Sequence, residues 1–187
     1  MEMQRKQLII FIPFEYRSYG EIGKDCVANG RKLFAEIKNS FSSKRKVKFR
    51  KHIITDALLV SVSDTNRLKD VKIDKDSIII VHAFNDKTGE YLKDKNRGEI
   101  AAKKVIDLLE VLVKDTGKIA EYHFATCYST YMGSIARAWK NRYPETTVYG
   151  KKGRFTENST LFKRKKNHIR IHTTTNTEIL KEEENSS

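Results

Sequence analysis

Ser77-Ile78-Ile79-Ile80-Val81-His82 is the stretch on which the fold turns. Ile78 to Val81 are all β-branched, a side-chain type whose stiff χ1 suits pleated backbone, and Asn85-Asp86-Lys87-Thr88-Gly89 supplies the stop. A short apolar run without polar alternation predicts a strand covered on both faces, hence one in the middle of a parallel sheet. Leu8-Ile9-Ile10-Phe11-Ile12, ending at Pro13, reads the same way.

Outward from these strands, Cys26, Val27, Leu33, Phe34 and Ile37 mark a helical stripe that contains Gly30 and stops at residues 40–43. Residues 46–54 alternate through Val47 and Phe49 and predict an edge strand whose charges deter aggregation, with a further short strand at 58–62. The clearest helix is predicted over 98–114, where Ala101, Val105, Leu108, Leu109 and Leu112 share a stripe that Gly117 closes. Residues 119–125 read as a strand and 126–130 as a loop. Residues 133–143 form a second helix, stopped by Pro144 before a short strand at 147–149, and 169–173 form a final strand. Strands alternating with helices make an α/β, three-layer sandwich, in which right-handed crossovers put helices on both faces of a mainly parallel central sheet. Ligand sites of such sheets lie at the carboxyl ends of the strands. One domain is expected over residues 1–180, followed by a disordered acidic and polar tail at 181–187.

At 187 residues, with 39% hydrophobic content, nine Phe and eight Tyr, the chain can fill one core without a disulfide or metal staple. Cys26 and Cys127 stand far apart with no ligand-spaced neighbours, so they read as two reduced thiols, Cys26 within the core. No run reaches the ~18–20 apolar residues of a membrane span, and the first residues lead into a strand rather than a signal-peptide core. The expected location is cytoplasmic, or a host cytosol reached by a signal-less route. A net charge of +13 favours nucleic acid, anionic lipid or a small polyphosphate as partner. The charge is concentrated in Lys44, Arg45, Lys46, Lys48 and Arg50 and again in Lys151, Lys152, Arg154, Lys163, Arg164 and Lys165, which are the candidate polyanion-binding residues.

His82 and Cys127 both fall at carboxyl ends of predicted strands, where residues distant in sequence converge. An imidazole that takes the thiol proton makes the thiolate nucleophile, and the turn into the next helix offers a positive dipole end to favour it. Backbone N–H groups at Ala83 and Cys127 are candidates for an oxyanion hole. His123 precedes Cys127 by four residues on one strand, ~13 Å at ~3.3 Å per residue, too far to share a proton. His52, His168 and His172 lie in basic segments where solvated or phosphate-contacting roles are plainer.

The strand ending Ile80-Val81-His82, the amphipathic helix after it, and His123-Phe124-Ala125-Thr126-Cys127-Tyr128-Ser129 together resemble the caspase-like (clan CD) cysteine peptidases. Within that clan the look is closest to the self-cleaving cysteine protease domains of bacterial toxins and effectors. The resemblance implies Cys127 as nucleophile, His82 as general base or proton donor, and a protein or peptide substrate. It also implies inositol hexakisphosphate as activator, held by a lysine and arginine pocket that the two basic runs could form, with no cofactor required for the chemistry. The family places glycine after the histidine, where this chain has Ala83.

Two other readings stand beside the peptidase: a non-enzymatic polyanion- or nucleic-acid-binding protein, and a pseudoenzyme that keeps the fold for protein contacts. No Gly-x-x-x-x-Gly-Lys or Gly-x-Gly-x-x-Gly motif occurs, no metal-ligand constellation is visible, and Gly133 stands where a tyrosine phosphatase needs arginine.

Overall fold

The computed structural model describes residues 6–14, 26–62, 64–85, 90–94, 98–125, 134–151, 162–172 and 177–181. In chain order they form β1 (Lys6–Ile12), α1 (Cys26–Ser42), β2 (Lys46–Phe49), β3 (His52–Ser61), α2 (Thr65–Leu68), β4 (Ser77–His82), β5 (Phe84–Asn85), β6 (Tyr91–Asp94) and β7 (Gly98–Ala101). There follow α3 (Ala102–Val113), a 3-10 turn (Thr116–Lys118), β8 (Ile119–Ala125), α4 (Ile135–Arg142), β9 (Val148–Lys151), β10 (Phe162–Arg164), β11 (His168–Ile171) and β12 (Thr177–Ile179).

β1 and β4 are buried along their whole length, as their unbroken apolar runs require, and they pair in parallel at the centre of the sheet. The nine strands run β10-β11-β2-β3-β1-β4-β8-β9-β12, and the five from β3 to β9 are all parallel. A separate small antiparallel sheet is built from β5, β6 and β7.

Register assigns the helices to opposite faces. Ile10 aligns with Ile80 and Ile80 with His123, so these three side chains share a face. Ile10 and Ile12 lie under Gly30 of α1, which puts α1 on that face. The next residue along β8, Tyr122, meets Trp139 of α4 at 5.1 Å between ring centroids, so α4 lies on the other. α3 packs between α2 and α4. The result is a helix–sheet–helix α/β arrangement whose buried apolar residues form one cluster.

The sheet is strongly curled. Three inter-strand gaps separate β3 from β8, about 14 Å in a flat sheet at ~4.8 Å per gap, yet a His52 nitrogen lies 2.9 Å from Glu121. β3 bends where its register with β1 jumps from Ile54 to Asp56, leaving Thr55 as the extra residue of a β-bulge.

Several sequence expectations are corrected. Residues 46–54 are not one edge strand: Arg50 takes a left-handed backbone (φ 53°), the chain reverses, and β3 enters the sheet beside β1. No glycine, asparagine or proline announced that turn. The strand expected at 58–62 is the later part of β3. Residues 98–101 are strand rather than helix, since they pair with β6, and the amide of Ala102 bonds to the carbonyl of Glu90. β11 is followed by β12, which pairs with β9, so it is not the final strand.

α1 also runs past its expected stop. Ser40 and Ser42 return their hydroxyls to the carbonyls of Glu36 and Lys38, satisfying themselves within the helix. Termination comes at Lys44, which is left-handed (φ 56°); its amide bonds to Phe41 and that of Arg45 to Ser40, the paired bonds of a Schellman cap. The expected loop at 126–130 and the tail from 182 onward lie outside the described residues.

Gly30 sets how closely α1 approaches β1, because a Cβ there would come 2.3 Å from Ile12 Cδ1. Gly30→Val should therefore cost about 1–3 kcal/mol through overpacking, read as a lowered midpoint in urea unfolding with the slope unchanged.

Candidate active-site rim and basic edge

His82 is the last residue of β4 and is buried, 5% exposed. Its register partner on the parallel neighbour β8 is Ala125, and Cys127 comes two positions further along that chain. Cys127 itself lies outside the described residues. Ala83, also buried, leads directly from His82 into the small sheet, which begins at Phe84 and so borders the same rim. His82 shares the α1 face with Ile80, since alternate strand residues point the same way. Among the described residues no cluster of His, Cys, Asp or Glu converges to hold a metal ion.

A second polar constellation was not anticipated. Glu121, on β8, accepts a hydrogen bond from His123 at 2.8 Å and is joined to His52 at 2.9 Å, with the Arg50 guanidinium 3.8 Å away. Burial opposes ionisation of this carboxyl, but the bonds to His123 and His52 outweigh it and hold the pKa down to about 2. Burial has the upper hand at His123, whose pKa is lowered despite the nearby carboxylate. The His123 ring is stacked on Tyr149 (4.5 Å, 4°) and edge-on to Phe49 (4.7 Å). Arg50 lies over the Tyr149 ring at 4.2 Å and donates to its hydroxyl at 3.1 Å. His52 thus belongs to an inter-strand clasp, not to a solvated edge. The sequence did carry a signal for it: a carboxylate within an otherwise apolar buried strand requires charged or hydrogen-bonding partners.

The basic runs meet in part. Lys44, Arg45, Lys46 and Lys48 line an open concavity of 660 Å³ together with Ser43, Lys166, Asn167 and His168. Lys163 and Lys165 are exposed beside it on β10 and the following turn. Arg164 points elsewhere and holds Glu36 of α1 through two bonds of 2.5 and 2.7 Å. Arg50 serves the clasp, and Lys151 is buried, 3% exposed, on β9. Lys152 and Arg154 lie outside the described residues. Since Val47 aligns with Ile54, and Ile54 with Lys6, the concavity sits at the amino end of the central strands, about 20 Å along the strand direction from His82 at ~3.3 Å per residue.

The clasp should make the fold acid-sensitive. His123 is held below its ordinary 6.5, so a proton favours the unfolded chain as pH falls through that value. Glu121 is held below its ordinary 4.5, so its stabilisation is complete above 4.5 and is lost as pH falls toward 2. Both act in the same direction. Glu121→Gln should cost about 2–3 kcal/mol at pH 7 and weaken the acid dependence below pH 4.5, measured by urea unfolding across pH.

Comparison with protein-family models, with curated proteins and with solved structures finds no match in any of the three.

Proposed function

We propose that this chain is a caspase-like cysteine peptidase in which Cys127 is the nucleophile and His82 its acid–base partner. The observation that carries the reading is the parallel β4–β8 pairing that aligns His82 with Ala125, two residues before Cys127. Adjacent parallel strands deliver their ends to one rim with backbones ~4.8 Å apart, close enough for side chains from the two ends to come within hydrogen-bond reach.

In this mechanism the Cys127 thiol gives its proton to His82 and the thiolate adds to the scissile carbonyl carbon. The backbone N–H groups of Ala83 and Cys127 donate to the resulting oxyanion. As the C–N bond breaks, the imidazolium returns its proton to the leaving amine, and a thioester remains. Water then attacks the thioester, His82 takes a proton from it, and the carboxylic acid departs as the thiol is restored. Ala83 occupies the position where the resembled family has glycine.

Cys127→Ala and His82→Ala should each abolish cleavage of peptide substrates or of the chain itself while leaving the circular dichroism spectrum intact. Unchanged cleavage by Cys127→Ala refutes the mechanism. Ala83→Gly should raise kcat/KM; if only this variant cleaves, the natural chain is a pseudoenzyme on the same fold. The concavity around Lys44–Lys48 and Lys166 supports a site for the implied activator, inositol hexakisphosphate. Its binding should raise the melting temperature, because a ligand of the folded state alone stabilises that state. A melting temperature that stays fixed up to saturating ligand removes the activator from the proposal.

A further inference from the structure

The three strands at one edge of the sheet carry opposite kinds of residue on their two faces. Register places Lys163 opposite Arg170 and Arg170 opposite Lys48, while in the adjacent row His168 stands opposite Lys46. Lys165, whose amide bonds to the carbonyl of His168 at 2.8 Å, extends that second row at the turn. Paired residues share a face, as do alternate residues on one strand, so all six positions belong to one surface. The other surface holds Val47, Phe49, Ile169 and Ile171, all buried, and Arg164 in its bond to Glu36 of α1. α1 covers that inner side, which leaves the basic surface facing outward.

Like charges directly opposite one another across strands are destabilising. None of the six is ion-paired to a carboxylate among the described residues. Protection of an open edge does not account for His168, Arg170, Lys46 and Lys48: that purpose needs charge on the outermost strand, whereas β11 and β2 lie second and third and are paired on both sides. The ring of His168 feels the accumulated charge, since partial burial and then Lys48, Arg170 and Lys165 keep its pKa below the ordinary value. At the end of the rows lies the 660 Å³ concavity, to which Lys44, Arg45 and Lys166 add three more cations. Lys44 keeps a left-handed backbone (φ 56°) at a cap position where glycine is the usual residue.

We infer that this outward face binds nucleic acid through its phosphate backbone without reading the bases. Lys163, Lys165, Arg170, Lys46 and Lys48 span about 10 Å across three strands at ~4.8 Å spacing, and three of them, Lys163, Lys165 and Arg170, lie outside the concavity that a compact anion would fill, so the whole array suits a chain of phosphates. Apart from the His168 ring, none of the six positions carries an aromatic side chain to stack on a base, so affinity comes chiefly from charge and is insensitive to sequence. This surface stands apart from His82, and its test does not depend on peptidase activity.

The test is fluorescence anisotropy with two short single-stranded oligonucleotides of unrelated sequence. Both should bind alike, with log K falling against log salt at a slope of about −3 to −4 for five phosphate contacts. Lys48→Glu combined with Arg170→Glu should reduce affinity at least ~10-fold and flatten the slope by about 1.4, as two lost contacts require. Lys44→Gly should also weaken binding while its melting temperature holds or rises, because glycine relieves the left-handed strain. The inference is overturned if neither oligonucleotide binds at low salt, or if both variants bind as tightly as the parent. It is equally overturned if inositol hexakisphosphate or anionic vesicles bind this face and the oligonucleotides do not.

Discussion

A carboxylate inside a sheet persists only where its charge is answered, and the way Glu121 is answered shapes this molecule. Its partners come from its own strand, through His123, and from the start of β3, through His52. Joining β3 to β8 across the two strands between them requires the sheet to curl, and the bulge at Thr55 supplies the bend. The apolar side of the hairpin, Val47 and Phe49, then closes over the interior, with Phe49 against the His123 ring. Apolar contact alone is non-directional. Glu121 fixes where along β8 the hairpin rests, and Arg50 over Tyr149 repeats the constraint on β9.

That hairpin has two faces with different duties. Its inner residues belong to the core and clasp, and its outer residues Lys46 and Lys48 join the cations of β10 and β11. Arg50 and Lys44, at the two ends of β2, are both left-handed non-glycine residues. Each such position costs roughly 1–2 kcal/mol. At Arg50 the cost is offset by contacts that glycine could not make, to Tyr149 and Glu121, whereas Lys44 lines the concavity and leaves its cost standing.

The central strands were legible because their signal is continuous: β1, β4 and β8 are buried runs, and a run covered on both faces is recognised without deciding which residues face which side. The helix stripes at Leu33 and Ile37 and at Leu108, Leu109 and Leu112 were legible for the related reason of period. What escaped was set by tertiary contact. The turn at Arg50 uses a residue with no turn preference, and it is held by Glu121 and Tyr149, far away in sequence. The first turn predicted for α3 became β7 because β6 was available to pair with it. Of the candidate site, His82 was found from its place at a strand end. Glu121 escapes the sequence because its partners, His52 and Arg50, lie in a segment whose alternation reads as one edge strand, whereas in the structure it is a hairpin inside the sheet.

The basic face and the His82 rim stand at opposite ends of the sheet, yet two strands run between them. β3 begins at His52 in the clasp and ends at Ser61, which donates its hydroxyl to the carbonyl of Phe14 at 2.7 Å beyond the end of β1. β8 carries Glu121 and, four residues later, Ala125 beside His82. His52 and Glu121 therefore tie the hairpin to the strand that leads to Cys127. Such a connection transmits only a difference: a ligand bound equally well with the clasp closed and open changes nothing at the rim, however tightly it binds.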